Sequence, residues 1–155
     1  MPLSEHLSNA TPAGPCHSYP NEDAWTDRPF APGAVLVGDA AGWNDPIVGQ
    51  GMSITYRDVR IVSELLLHNG DWAGLRFAPY AEERRERMRR LRIVASLQST
   101  IENEFGDEAR QRRLRVGQRR AADPAFMAPL IAGYAGPESV PAEALGEDLI
   151  RRLLA

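Results

Sequence analysis

Residues 35–51 read VLVGDAAGWNDPIVGQG, and the fold of the chain is decided by how they are read. Ala34, Val35, Leu36 and Val37 form a short apolar run between Gly33 and Gly38. Its length and β-branching predict a buried strand. Gly38 and Asp39 end that run, and Pro46 stiffens the path that follows. Gly49 and Gly51 flank the start of a helical pattern that continues to about His68. The stretch is therefore a strand, a turn and the mouth of a helix.

A strand that stops on Gly38 presents the Asp39 carboxylate at the carboxyl edge of a sheet, where α/β proteins hold their ligands. A carboxylate there accepts hydrogen bonds from sugar-like hydroxyls and repels phosphate. At the other end, Gly49 and Gly51 let the backbone approach a ligand closely. The free first-turn amides and the positive end of the helix dipole favour electron-rich oxygen or nitrogen. A ribityl chain joined to an electron-accepting ring satisfies both ends. An ordinary strand-to-helix connection, with Asp39 capping a local turn and the glycines serving geometry, satisfies the same residues.

The wider stretch VLVGDAAGWNDPIVGQGMSITYRDVRIVSELL resembles the second FAD motif of the aromatic-hydroxylase (p-hydroxybenzoate hydroxylase-like) FAD-dependent monooxygenases. The residues that carry the resemblance are Gly38, Asp39, Ala40, Ala41, Pro46, Gly49, Gln50, Gly51 and Asp58. It implies that Asp39 binds ribityl or ribose-side hydroxyls of FAD. Pro46 and the backbone of Gly49, Gln50, Gly51 and Met52 would lie against the isoalloxazine ring. The helix start at Gly51 would stabilise negative charge on reduced flavin. Gly38, Asp39, Ala40, Pro46, Gly49, Gln50, Gly51 and Met52 are thus the implied cofactor-binding residues. The flavin does the chemistry in this family, so no catalytic side chain is expected. Full-length members oxygenate small organic substrates with NAD(P)H and O2. Two departures stand out. Gly42 occupies a position where many members carry His, and the chain has no GxGxxG fingerprint for the ADP half of FAD. The implied fold is mainly α with one or two short β-strands, the carboxyl-terminal fragment of an α/β, glutathione-reductase-like FAD-binding fold lacking its amino-terminal Rossmann unit. A complementing amino-terminal chain or a second copy would then complete it. The alternative is a non-catalytic helical remnant or interaction subunit that packs against a partner.

Outward from the motif, residues 1–33 are rich in Pro, Ser, Asn and Asp and read as an irregular lead-in, with a possible short edge strand at CHSYP, residues 16–20. Residues 34–155 form the flavin-binding, helical part. In the first helix, Met52, Tyr56, Val59, Val62 and Leu66 make an apolar stripe, widened by Ile54, Ile61 and Leu65; Ser53, Arg57, Arg60 and Glu64 make a polar one. Asn69-Gly70 is a stop signal. A second helix from Pro79 to about Phe105 buries Met88, Leu91, Val94, Ile101 and Phe105, with Glu83/Arg87 and Glu86/Arg90 as i,i+4 pairs. An Arg-rich helix over residues 107–120 follows. Asp123-Pro124 opens a short helix to about Tyr134, and residues 141–154 form the last.

Composition narrows the function classes. The 155 residues suit one domain, and the net charge of −3 argues against nucleic acid as the main partner. All 18 basic residues are Arg, which excludes a Schiff-base lysine and a Walker-type phosphate lysine. The single cysteine, Cys16, cannot form an internal disulfide. Residues 1–14 do not read as a signal peptide, and no apolar run approaches membrane-spanning length, so a cytoplasmic protein without membrane contact is expected. Cys16 and His17 are strand neighbours that would point apart, and no metal-ligand spacing is present. The runs RRERMRRLR and RQRRLRVGQRR read as solvated helix faces, the first balanced by Glu82, Glu83 and Glu86. Trp43 falls inside the motif loop and would line the flavin or substrate side; Trp25 and Trp72 read as packing residues.

Overall fold

Residues 34–37 lie in a hairpin instead of a buried strand. The structure is a computed structural model that describes residues 4, 8, 10–18, 22–68 and 76–155. Strand β1 (Ala24–Trp25) pairs antiparallel with β4 (Gly42–Trp43), and β2 (Phe30–Ala31) pairs antiparallel with β3 (Ala34–Val35). Each ladder has two strands of two residues. Ala34 and Leu36 are exposed, and Val35 and Val37 half-buried. A strand with one neighbour and one covered face cannot be buried on both sides, which is why the apolar run misleads. Residues 16–18 of the CHSYP segment are in no strand; its last two residues lie outside the described set.

The rest is helical. Helix α1 spans Gly51–His68 and α2 spans Ala78–Glu102; the Asn69-Gly70 stop lies outside the described residues. Pro79 sits in the first turn of α2, where its missing N–H costs nothing. Gly106, at φ +99, separates α2 from α3, Asp107–Ala122. Asp107 and Glu108 open α3 and Arg119 and Arg120 close it, each sign matching the helix dipole. The Asp123 carboxylate then accepts the Ala125 N–H at 2.9 Å, capping the single turn Pro124–Met127 that leads into α4, Ala128–Ala135. Two more short turns, Pro137–Ser139 and Ala142–Leu145, lead to α5, Glu147–Leu154.

Helix α2 is the spine. Its Tyr80 packs with Val62 and Phe77, its Met88 and Leu91 with Ile54, its Val94 with Ala132, Val140 and Leu145, and its Leu97 and Ile101 with Val116, Phe126 and Leu153. Each large side chain so buried contributes about 1.5–3 kcal/mol. Phe105 is exposed, because α2 stops at Glu102 and the buried stripe ends with it.

Helix α1 corrects the sequence reading. Its buried residues are Ile54, Asp58 and Val62, whereas Met52, Tyr56 and Val59 are exposed. A carboxylate stands in the covered stripe and three large apolar residues face outward. Among the described residues no helix is long and apolar enough to cross a membrane, and no group of three or more His, Cys, Asp and Glu is placed to hold a metal ion.

Candidate functional site

The motif turn is gripped from beneath and open above. Gly38–Ala41 is one tight 3-10 turn whose outer residues, Asp39 and Ala40, are exposed, while Gly38 and Ala41 are buried. Gly38 has φ +56, and a Cβ there would lie 2.5 Å from Thr55 Oγ1. Gly42 has φ +125, and a Cβ there would lie 2.4 Å from the Trp25 Cα. The β1–β4 pairing thus leaves no space for a side chain at residue 42, which accounts for the glycine where the resemblance leads one to expect His.

Thr55 joins the two ends of the turn. Its side chain packs against Gly38, and its hydroxyl donates to the Gly51 carbonyl at 3.0 Å. Gly38, the residue before Asp39, therefore packs on the same turn of α1 that starts at Gly51. Between them, Asp45 caps the short turn Pro46–Val48 by accepting the Ile47 N–H at 2.9 Å, and Gly49 ends it in the left-handed region at φ +65. Among the described residues, no atom beyond the flanking chain lies within 4 Å of a Cβ built on Gly49 or Gly51, so a planar group can approach that backbone. The Ile54 N–H donates to the Gln50 carbonyl at 2.9 Å, the first helical bond of α1, which leaves the amides of Gly51, Met52 and Ser53 ahead of the ladder.

Gln50 contributes its backbone to this mouth and turns its side chain away. Its Nε2 donates to the carbonyls of Gly133 (2.7 Å) and Tyr134 (3.2 Å), tying the motif to the end of α4. The Trp43 indole N–H is likewise engaged, donating to the Glu22 carbonyl at 3.0 Å. Trp25 is half exposed, with the Arg92 guanidinium 3.9 Å over its ring, and Trp72 lies outside the described residues.

The support beneath the turn is ionic, a role the sequence reading missed. Asp58, fully buried, accepts the Gly38 N–H at 2.9 Å and the Arg84 Nε–H at 3.0 Å on Oδ2, and Arg87 on Oδ1. Arg84 donates further to the carbonyls of Ala41 (3.2 Å), Gly38 (3.0 Å) and Gly42 (3.1 Å). Arg87 also reaches Glu83, which bridges to Arg57, which pairs with Glu138. Arg84 and Arg87 are therefore buried core residues of α2, not part of a solvated face. The signal was present: Tyr80, Arg84, Arg87, Met88 and Leu91 recur at helical spacing on one stripe. Tyr80 adds a tether from its hydroxyl to the Leu36 carbonyl at 2.8 Å, and its burial, reinforced by the Asp58 charge, pushes the phenol pKa up.

A hollow of about 100 Å³ opens beside the helix mouth, bounded by Gln50, Ser53, Arg57, Arg87, Tyr134 and Glu138. Arg87 Nη1 is buried without an acceptor among the described residues. Asp39 does not line this hollow; it lies on the open lip of the turn. The arrangement offers an acceptor carboxylate, an uncrowded glycine backbone and free helix amides around Thr55. Those groups fit a hydroxylated chain followed by a flat ring that accepts hydrogen bonds.

Residues 2–76 match the family model described as squalene epoxidase. Ubiquinone hydroxylase UbiL of Rhodospirillum rubrum is 33% identical over 121 residues, covering 74% of this chain and 28% of that protein. The 3-demethoxyubiquinol 3-hydroxylase of Escherichia coli strain K12 is 37% identical over 71 residues, covering 46% of this chain and 18% of that protein. No solved structure matches.

Proposed function

We propose that this chain, which resembles the carboxyl-terminal part of an FAD-dependent monooxygenase, is the flavin-facing portion of such an enzyme. The observation that carries the reading is the pairing of an exposed Asp39 lip with the Gly49–Gly51 helix mouth through Thr55. Asp39 would accept hydrogen bonds from ribityl or ribose hydroxyls. Gly38 and Ala40 would set the direction of that lip. Pro46, Gly49, Gln50, Gly51 and Met52 would present backbone to the isoalloxazine ring, and the first-turn amides of α1 would hold negative charge on it. Bound flavin would supply the redox chemistry, taking reducing equivalents from NAD(P)H and passing one oxygen atom of O2 to a small organic substrate. The names of both relatives point to a quinone or quinol ring as that substrate. The matched stretches cover 28% and 18% of the lengths of these two relatives. The experiment is a titration of the purified protein with FAD, followed by flavin fluorescence and the visible spectrum. Saturable quenching that Asp39→Ala weakens supports the reading; free-flavin spectra at every protein concentration refute it.

A second reading rests on a separate observation. Met52, Tyr56 and Val59 leave an apolar stripe on the outer face of α1. It favours an interaction subunit that packs against a complementing chain, or a second copy, through this face.

A further inference from the structure

We infer that Arg84 is a positioning residue that presets the flavin-facing turn before any ligand arrives. The inference rests on the reading of that turn as the cofactor edge. Arg84 is almost wholly buried and uses its fork on a single loop. One N–H goes to Asp58 and three others go to the carbonyls of Gly38, Ala41 and Gly42. Gly38 is held at both polar groups, its N–H by Asp58 and its C=O by Arg84. The gripped residues bracket Asp39 and Ala40, which are exposed and take no part in the clamp. The clamp therefore fixes the two feet of the lip and leaves its crown free to meet a ligand.

A buried arginine needs only a carboxylate and any nearby carbonyls to be satisfied. Here all three carbonyls belong to one five-residue turn, and the carboxylate reaches back to that turn's first amide. The network thereby couples α1, α2 and the turn into one rigid unit. A loop already held in its bound shape loses less freedom when a ligand binds, so the clamp acts on affinity as well as on stability. Lysine cannot replace it, because one ammonium cannot span the planar set of acceptors.

The test compares wild type with Arg84→Lys and Arg84→Met, measuring amide hydrogen exchange and FAD affinity on the full chain. Asp58→Asn serves as the second route to a loosened clamp where Arg84→Met does not fold. Arg84→Lys is expected to speed exchange at the Gly38 and Gly42 amides by about tenfold while α2 protection holds, and to weaken FAD binding by about tenfold. Exchange at those amides equal to wild type overturns the clamp. A loosened turn with undiminished FAD affinity overturns the positioning role alone. Wild-type protein that does not bind FAD overturns the cofactor reading, and with it the purpose assigned to Arg84, whatever the exchange rates.

Discussion

Gly42 and Gly49 share a positive φ but differ in their surroundings, and that difference separates two kinds of glycine. At Gly49 nothing crowds an added Cβ, so Gly49→Ala should cost only the left-handed backbone penalty, about 1–2 kcal/mol. At Gly42 the same methyl group meets the Trp25 backbone at 2.4 Å. Gly42→Ala should therefore break the β1–β4 pairing and cost more than Gly49→Ala, as read from urea midpoints. Tyr80 yields a pH dependence. Its folded-state pKa is raised above the ordinary value of 10.0, by burial first and by the Asp58 charge second. The phenol must stay neutral in the folded protein, so its contribution is complete below pH 10.0 and is lost as pH rises from there towards the folded value. Tyr80→Phe should flatten stability above about pH 10 while losing about 1 kcal/mol at neutral pH with the bond to Leu36. At this scale the sequence was legible where residue type follows from backbone geometry, as at Gly38, Gly49 and Asp123. The partners of a buried charge were not legible: spacing puts Arg84 and Arg87 on the covered stripe of α2, but that they meet Asp58 of another helix follows only from the fold.

Helix α2 carries two sets of ion pairs, interleaved over residues 84–90, with opposite expected weights. Glu86 receives Arg89 and Arg90 on the exposed face, and those hydrogen bonds lower its carboxyl pKa from 4.5 to about 2. The stabilisation is present above pH 4.5 and is lost as pH falls towards 2. Glu86 is half exposed and therefore screened, so Glu86→Gln should cost under about 1 kcal/mol and nothing at high salt. Truncating Arg84 on the buried face takes away one of the two arginines that hold Asp58 and leaves three carbonyls without their donor, so Arg84→Met should cost about 3–5 kcal/mol and be insensitive to salt. Denaturant unfolding at low and high salt distinguishes the two. The order of the helices was legible from their punctuation: Pro79, Gly106 and Asp123-Pro124 each mark a boundary that the structure keeps within a few residues. The facing of α1 was not. Its apolar residues are spread around more than half the helix, so periodicity alone could not choose the covered side, and the Asp58 contact chose it.

For the whole molecule, the outward stripe of α1 is the feature a self-sufficient domain would cover. Paired substitutions Met52→Gln and Tyr56→Gln should leave thermal unfolding unchanged and reduce concentration-dependent association, measured by sedimentation velocity; an unchanged sedimentation profile would remove the interaction reading. The matched stretches cover 28% and 18% of the two relatives, and the motif lip and this stripe are among the surfaces left open here. Both lie on the turn and the helix that the sequence motif spans. The account depends above all on residues 38–52 meeting flavin. The most direct measurement is backbone amide chemical-shift mapping of the isotope-labelled protein during an FAD titration. The account predicts saturable shifts concentrated at Gly38, Asp39, Ala40 and at Gly49, Gln50, Gly51 and Met52, with α3 and α5 unmoved. Shifts confined to other helices, or none at saturating FAD, would contradict it.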